Sequence, residues 1–282
     1  MKKLFLLAAL LLLAACDQQG SNASSAPQAD EVYHRVMKSG VLRCGYSVWP
    51  PLFKVDPNTG EKGGIVGDMM VELAKRYGLK IEWVEELGWG TVTEALEQKR
   101  VDAACAGYWA NTSRSKYVYF TVPLFYSPTF VWMRGDDTRN PETIDTLDDP
   151  AWTAGHVDGS AEGKAIAIRF PKAKTFTIPE LMPSSDLFEA LKAGKLDFVV
   201  MDYASVADFL NKNPGALKMM FPNDPVSILP DVMMVPGGEN RLKSLFDNAI
   251  REMQYDGTVD RILEKNGAAG MYPKSLSKFD KE

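Results

Sequence analysis

Apolar and polar residues alternate along the chain with two periods, one of strands and one of helices. Val41-Leu42-Arg43-Cys44-Gly45 is a short extended run, stopped by Tyr46-Ser47-Val48-Trp49-Pro50-Pro51. Asp56-Pro57-Asn58-Thr59-Gly60 has the composition of a hairpin turn. Val66, Met69, Met70, Leu73, Ala74 and Tyr77 then share one helical face, and Gly78 closes that helix. Residues 79–84 alternate as a strand. Thr91 and Glu94 are spaced as a capping box for a helix carrying Val92, Ala95 and Leu96. An apolar strand follows at 101–106, and residues 117–133 hold two extended stretches broken by Pro123 and Pro128.

After the polar run 135–149 the alternation restarts. It predicts a strand at 152–157, an Ala-rich helix near 161–169, a strand at 175–178 and a helix near 204–210 that Asn213-Pro214-Gly215 terminates. Residues 232–235 read as extended. Leu242, Leu245, Phe246, Ala249, Ile250 and Met253 mark a strongly amphipathic helix, and Val259, Ile262 and Leu263 mark a last one. This alternation predicts an α/β fold with largely parallel sheets.

One segment is written twice. Glu94 opens EALEQKRVDAACAG and Glu189 opens EALKAGKLDFVVMD, so each copy runs from a helix end through a tight turn into an apolar strand. The first strand empties into GYWANTSR and the second into DYASVAD. Ligands of open α/β sheets sit beyond the carboxyl ends of the strands. Two such ends in two similar halves predict two lobes facing one ligand across a cleft.

The ends and the charge narrow the class. Met1-Lys2-Lys3 is a basic head, and the apolar run at 4–15 is too short to span a bilayer but has the layout of an export signal. Residues 17–30 contain almost nothing that could bury itself and read as a flexible tether. The 32 basic side chains, less Lys2 and Lys3, leave 30 against 37 acidic ones, a net charge of −7. No basic patch exists, which excludes nucleic acid as a partner. Cys44 and Cys105 both sit in apolar strands. Two buried thiols are the simpler reading, and a disulfide between neighbouring strands is the alternative that an oxidising compartment permits. His34 and His156 are the only histidines, and no metal-binding spacing occurs, so neither metal nor cofactor is expected. His156 reads as a core histidine.

Leu13-Ala14-Ala15-Cys16 resembles the bacterial lipobox, which implies lipidation of Cys16, and Asp17 resembles the signal for retention at the inner membrane. From 41 to about 273 the chain resembles the periplasmic solute-binding proteins of the amino-acid type, the family 3 partners of ABC importers. The resemblance rests on Leu42-Arg43-Cys44-Gly45 with Trp49-Pro50-Pro51, Leu73-Ala74-Lys75-Arg76-Tyr77-Gly78, Ser113-Arg114-Ser115-Lys116 and Tyr119-Phe120-Thr121-Val122-Pro123. In the second half it rests on Gly159-Ser160-Ala161-Glu162, on 196–202 and on Asp256-Gly257-Thr258. The implied fold is the two-lobed type II periplasmic binding fold. Each lobe is a mostly parallel sheet flanked by helices, and two crossing hinge strands join them near Ser127 and Val226. That divides the chain into a signal peptide (1–15), a tether (16–30), lobe 1 (31–127 with 227–282) and lobe 2 (128–226). The implied partners are a small ligand, an importer permease and, through the lipid on Cys16, the periplasmic face of the inner membrane; a monomer is expected.

A free amino acid presents a carboxylate and an ammonium, and burying either unpaired is costly. By resemblance Arg114 takes the carboxylate through its planar fork, helped by the backbone N–H of Ser160 at a helix start, and Asp202 takes the amino group. Taken from the residues alone, Arg114 is equally a solvated loop charge and Asp202 equally a helix N-cap. Trp49, Trp89, Tyr108 and Trp109 read as pocket walls, with Gly107, Ala161 and Glu162 beside them in the ligand-binding set. Two positions depart from the family. Trp109 stands where a small hydroxyl residue is usual, and Ala161 where a second Thr often follows Ser160. Both losses remove donors to a carboxylate and turn the pocket towards a modified amino acid, a smaller acid or an amine. The competing readings are a cyclohexadienyl dehydratase-like enzyme on the same scaffold, its acid being Glu162, Glu180 or Asp158, and a sensor for a membrane receptor.

Overall fold

A computed structural model describes residues 29–276, so the expected signal segment and Cys16 lie outside the described residues. The first part comprises α1 (Glu31–Ser39), β1 (Val41–Tyr46), the hairpin β2 (Lys54–Val55) and β3 (Lys62–Gly63), α2 (Gly64–Arg76) and β4 (Lys80–Glu86). It continues with α3 (Val92–Glu97), β5 (Ala103–Trp109) and β6 (Val118–Phe120). A long strand, β7 (Phe125–Arg134), leads to β8 (Thr153–Val157), α4 (Ala161–Arg169), β9 (Lys174–Ile178) and α5 (Ser184–Lys192). Then come β10 (Phe198–Asp202), α6 (Tyr203–Lys212) and β11 (Leu217–Met220). A second long strand, β12 (Ser227–Pro236), returns to the first part, which α7 (Asn240–Tyr255) and α8 (Thr258–Lys265) complete.

The strands form one path in the order β4-β1-β5-β12-β7-β10-β8-β9. Each end of it is a parallel triplet: β4-β1-β5 on one side and β10-β8-β9 on the other. All residues of β5 and β10 are buried, as expected of central parallel strands covered on both faces. The two triplets meet through β7 and β12, which pair antiparallel between Thr129 and Ser227 and between Phe125 and Asp231. Beyond that stretch the strands part. β7 continues against β10 and β11, and β12 continues against β5 and β6. Each long strand thus begins in one half and ends in the other. Ser127 pairs with Leu229 in this stretch, and Val226 immediately precedes it.

The doubled segment has a structural reason. Asp102 and Asp197 stand at the mouths of β5 and β10, and each carboxylate accepts from a backbone N–H of the neighbouring parallel strand. Arg43 N donates to Asp102 at 2.7 Å and Thr153 N donates to Asp197 at 2.8 Å. Both acids also hold a guanidinium: Arg43 at 2.9 Å for Asp102, Arg139 at 2.6 Å for Asp197. The repeated Asp therefore pins a strand register and faces away from the cleft.

The amphipathic pattern of α7 buries Leu242, Leu245, Phe246, Ala249, Ile250 and Met253 together. Gly64 opens α2 with φ +88°, and a Cβ there would lie 2.8 Å from the Pro51 carbonyl oxygen. Thr91 does not form the expected capping box. Its hydroxyl reaches back to the Gly88 carbonyl, and Glu94 instead accepts from Gln98 one turn on. His156 is half-buried, with Nε2 facing Thr177 Oγ1 at 3.2 Å and Nδ1 facing the Val157 carbonyl at 3.0 Å. Cys44 and Cys105, on the neighbouring strands β1 and β5, are joined in a disulfide, with Cα atoms 5.5 Å apart. The two-thiol reading gives way to the alternative because the register of these strands brings the two side chains together.

Candidate functional site

The carboxyl ends of β1 and β5 in one half and of β8 in the other converge on a narrow cleft. Trp49, Trp89, Trp109, Arg114, Ser160, Ala161 and Glu162 line it, with Val157 and Ser184. Seven of the ten expected ligand contacts thus meet in one place. Trp49 follows β1 and is fixed by a reciprocal pair of backbone hydrogen bonds with Phe53. Its ring stands nearly perpendicular to Trp89 (centroids 5.6 Å apart, 89°) and to Trp109 (4.9 Å, 79°). The three indoles form a walled corner with edge-to-face contacts.

Arg114 follows β5 in a short 3-10 turn and is only 7% exposed. Its Nη2 donates to the Trp89 carbonyl at 2.5 Å and Nη1 to the Trp109 carbonyl at 3.4 Å. Among the described residues no carboxylate forms an ion pair with it. Burial pulls its pKa down from the usual guanidinium value, with Tyr108 and Glu162 opposing. Across the cleft, Ser160 caps α4: its Oγ accepts from Gly163 N at 3.2 Å. Glu162 lies in the first turn of α4, where burial raises its carboxyl to about 7, although its own backbone N–H, Ser160 and Arg114 favour the charged form.

The remaining three expected contacts lie behind the lining. Gly107 sits within β5, where a Cβ would crowd Leu52 and Val66. Tyr108 is buried beneath Trp89, its hydroxyl 2.9 Å from Ser47 Oγ. Asp202 is the N-cap of α6, accepting from Ser205 N at 3.0 Å, from Ser205 Oγ at 2.6 Å and from the Tyr272 hydroxyl at 3.0 Å. The N-cap reading of this residue is the one that the geometry displays. Burial raises its pKa, partly offset by these donors.

Sequence reasoning missed Asp231. This fully buried acid on β12 accepts from Trp109 Nε1 at 3.1 Å and from Ser127 Oγ at 2.6 Å, tying a cleft indole to both crossing strands. Burial holds its carboxyl well above the ordinary range. The available signal was an acid interrupting the extended apolar stretch from Ile228 to Val235. Ser205 and Tyr272 were missed too, because nothing local marks them.

Contacts also bridge the halves. Trp49 Nε1 donates to Ser205 Oγ at 2.9 Å, and Gly90 N donates to Glu180 Oε2 at 2.7 Å. Lys164 reaches Asn111 and Ser113. A Cβ on Gly159, at φ +66°, would lie 2.7 Å from Gly90 N; the two loops touch backbone to backbone, which only glycine allows. Of the three acids that could serve an enzyme, Glu180 makes this bridge and Asp158 accepts from Gly159 N in its own turn. Glu162 alone lines the cleft.

Glu162 sets a pH dependence. Its folded pKa of about 7 exceeds the ordinary 4.5, so the folded state keeps a proton that the unfolded state releases. Stability from this group is complete below pH 4.5 and is lost as pH rises through 7. Arg114, Asp202 and Asp231 are the charged neighbours that act on it. Glu162→Gln is expected to exceed the native chain in stability at pH 8 by up to about 3 kcal/mol, at 1.36 kcal/mol per pKa unit, with the gap closing towards pH 4.5. Urea denaturation at the two pH values measures this. A gap independent of pH would show that Glu162 ionises as it does in water.

The family model of bacterial extracellular solute-binding proteins, family 3, matches residues 42–269. The chain belongs to this family. The L-cystine-binding protein TcyA of Bacillus subtilis is 24% identical over 272 residues, covering 93% of this chain and 94% of that protein. Cyclohexadienyl dehydratase of Pseudomonas aeruginosa is 25% identical over 244 residues, 86% and 88% of the two chains. Among solved structures, an ancestral amino acid-binding protein, a precursor of cyclohexadienyl dehydratase, superposes with a TM-score of 0.72 at 25% identity, covering 82% of this chain and 97% of that one. The α/β fold of this family 3 solute-binding protein is that of its two-lobed structural neighbours. Among the described residues no helix is long and apolar enough to cross a membrane.

Proposed function

We propose that this chain is the substrate-binding lipoprotein of an ABC importer, holding an amino acid or related small zwitterion in the cleft. One observation carries the reading. A buried guanidinium, without an ion-pair partner among the described residues, faces a cleft walled by indoles, in a family whose members bind solutes. Such a group lacks a counter-charge that a ligand carboxylate supplies. The L-cystine-binding relative and the amino acid-binding neighbour support the substrate class. The lobes are 31–127 with 227–282, and 128–226. The lipid on Cys16 tethers them to the outer face of the inner membrane. Ligand contacts to both halves add to the bridges already present and shift an open–closed equilibrium.

A thermal-shift screen of the purified protein against amino acids, amines, organic acids and prephenate tests this. A ligand at ~100 times its dissociation constant adds about 2.7 kcal/mol. That is several degrees at this size. A panel in which no amino acid or related zwitterion shifts the melt would overturn the reading.

Glu162 favours a second reading, an enzyme like the cyclohexadienyl dehydratase relative. A carboxyl of pKa about 7 is half-protonated at neutral pH. It could give its proton to the ring hydroxyl of prephenate, which leaves as water. The bond to the ring carboxylate breaks to release carbon dioxide, and its electron pair completes the aromatic ring. Consumption of prephenate by the native chain but not by Glu162→Gln would establish this reading instead.

A further inference from the structure

The cleft is poorly equipped for a primary ammonium. Such a group brings three N–H donors, each needing an acceptor where water is excluded. Asp202, the acid expected to receive them, is occupied by Ser205 and Tyr272 and does not line the cleft. Asp231 is occupied by Trp109 and Ser127. The Oγ of Ser160 already accepts from Gly163 N. That leaves the Glu162 carboxylate and the Ser184 hydroxyl as side-chain acceptors among the lining residues, two groups for three donors.

The aromatic wall is the opposite case. Trp49 and Trp109 donate their indole N–H groups to Ser205 and Asp231, neither of which lines the cleft. What those two rings leave for a ligand is carbon and π surface, and Trp89 stands edge-on to Trp49 beside them. Ring faces attract a cation through their quadrupole, and a quaternary ammonium needs no hydrogen-bond acceptor at all.

We propose that the ligand is a fully N-substituted ammonium carboxylate, a betaine, whose N-methyl groups pack in the corner of Trp49, Trp89 and Trp109. Glu162 supplies the counter-charge and Arg114 holds the carboxylate. The inference rests on the reading of the cleft as a zwitterion site and names the class of zwitterion. Trp109 in place of a small hydroxyl residue thereby acquires a purpose: it trades a donor for a cation-binding face.

Titration calorimetry of the purified full-length protein tests this with glycine betaine and proline betaine against glycine, proline, arginine and choline. At least one betaine is expected to bind ten or more times tighter than its parent amino acid. Trp89→Leu should lose that affinity tenfold or more, Trp89→Phe should keep most of it, and Glu162→Gln should weaken it. Unliganded Trp89 variants that melt as the native protein does, and Glu162→Gln melting no lower than it, separate lost binding from lost folding. A parent amino acid, or arginine, binding as well as any betaine would overturn the inference and leave the zwitterion reading standing. Choline binding as well as glycine betaine would show that Arg114 holds no carboxylate, and would overturn both. Absence of heat with every probe would also overturn both.

Discussion

Arg114→Ala is expected to raise the ligand's dissociation constant by two to three orders of magnitude while the fold survives. Hydrogen bonds to charged groups contribute about 1.5–3 kcal/mol each. Removing one partner of a buried charge pair costs 2–5 kcal/mol or more, because the other charge is left buried and unpaired. A ligand carboxylate facing the fork of Arg114 meets both conditions, since Arg114 is buried and has no ion-pair partner among the described residues. The folding cost is smaller. The substitution frees the Trp89 and Trp109 carbonyls from their present donor. It also removes a cation whose charge burial disfavours. Arg114→Lys should recover only part of the affinity, as an ammonium cannot reproduce the planar fork. Calorimetry with the best ligand from the screen measures both variants. Binding by Arg114→Ala within tenfold of the native protein would place the carboxylate elsewhere.

The second large effect concerns stability. The Cys44–Cys105 bond closes a loop with a sequence separation of 61 residues. In the chain-entropy account, opening it returns about 4 kcal/mol of freedom to the unfolded chain. The double variant Cys44→Ser, Cys105→Ser should therefore lose about 4 kcal/mol in urea denaturation and melt roughly 10 °C lower. Ligand affinity should change little, because the bridge lies between β1 and β5 behind the cleft lining. Reductant should act on the native protein only slowly, since both sulfurs belong to fully buried residues. A loss under about 1 kcal/mol would mean that the native protein carries two thiols.

The same two strands show what the chain could reveal of itself. Period-2 and period-3.6 patterns are local, so β1, β5, α2 and α7 were legible from spacing alone. The doubled segment marks two similar halves along the chain. The motifs of the family were equally legible. So was the set of aromatic and charged residues at strand ends, because the carboxyl end of a parallel strand is fixed by chain direction. Trp49, Trp89, Trp109, Arg114, Ser160, Ala161 and Glu162 meet for that reason.

Pairings across the molecule were not legible. Whether Asp202 faces a ligand or caps α6 depends on Tyr272, 70 residues away, and on the hydroxyl of Ser205. Asp231 matters because β7 and β5 carry Ser127 and Trp109 to it over 104 and 122 residues. The disulfide depends on β1 lying beside β5, and the acid role narrows to Glu162 because Glu180 is drawn to Gly90. The sequence by itself determined which segments become helix and strand and which residue types arrive at the cleft, since both follow from near neighbours along the chain. The tertiary structure alone decided which polar groups find partners and which remain free for a ligand, because a hydrogen bond is chosen by distance in space.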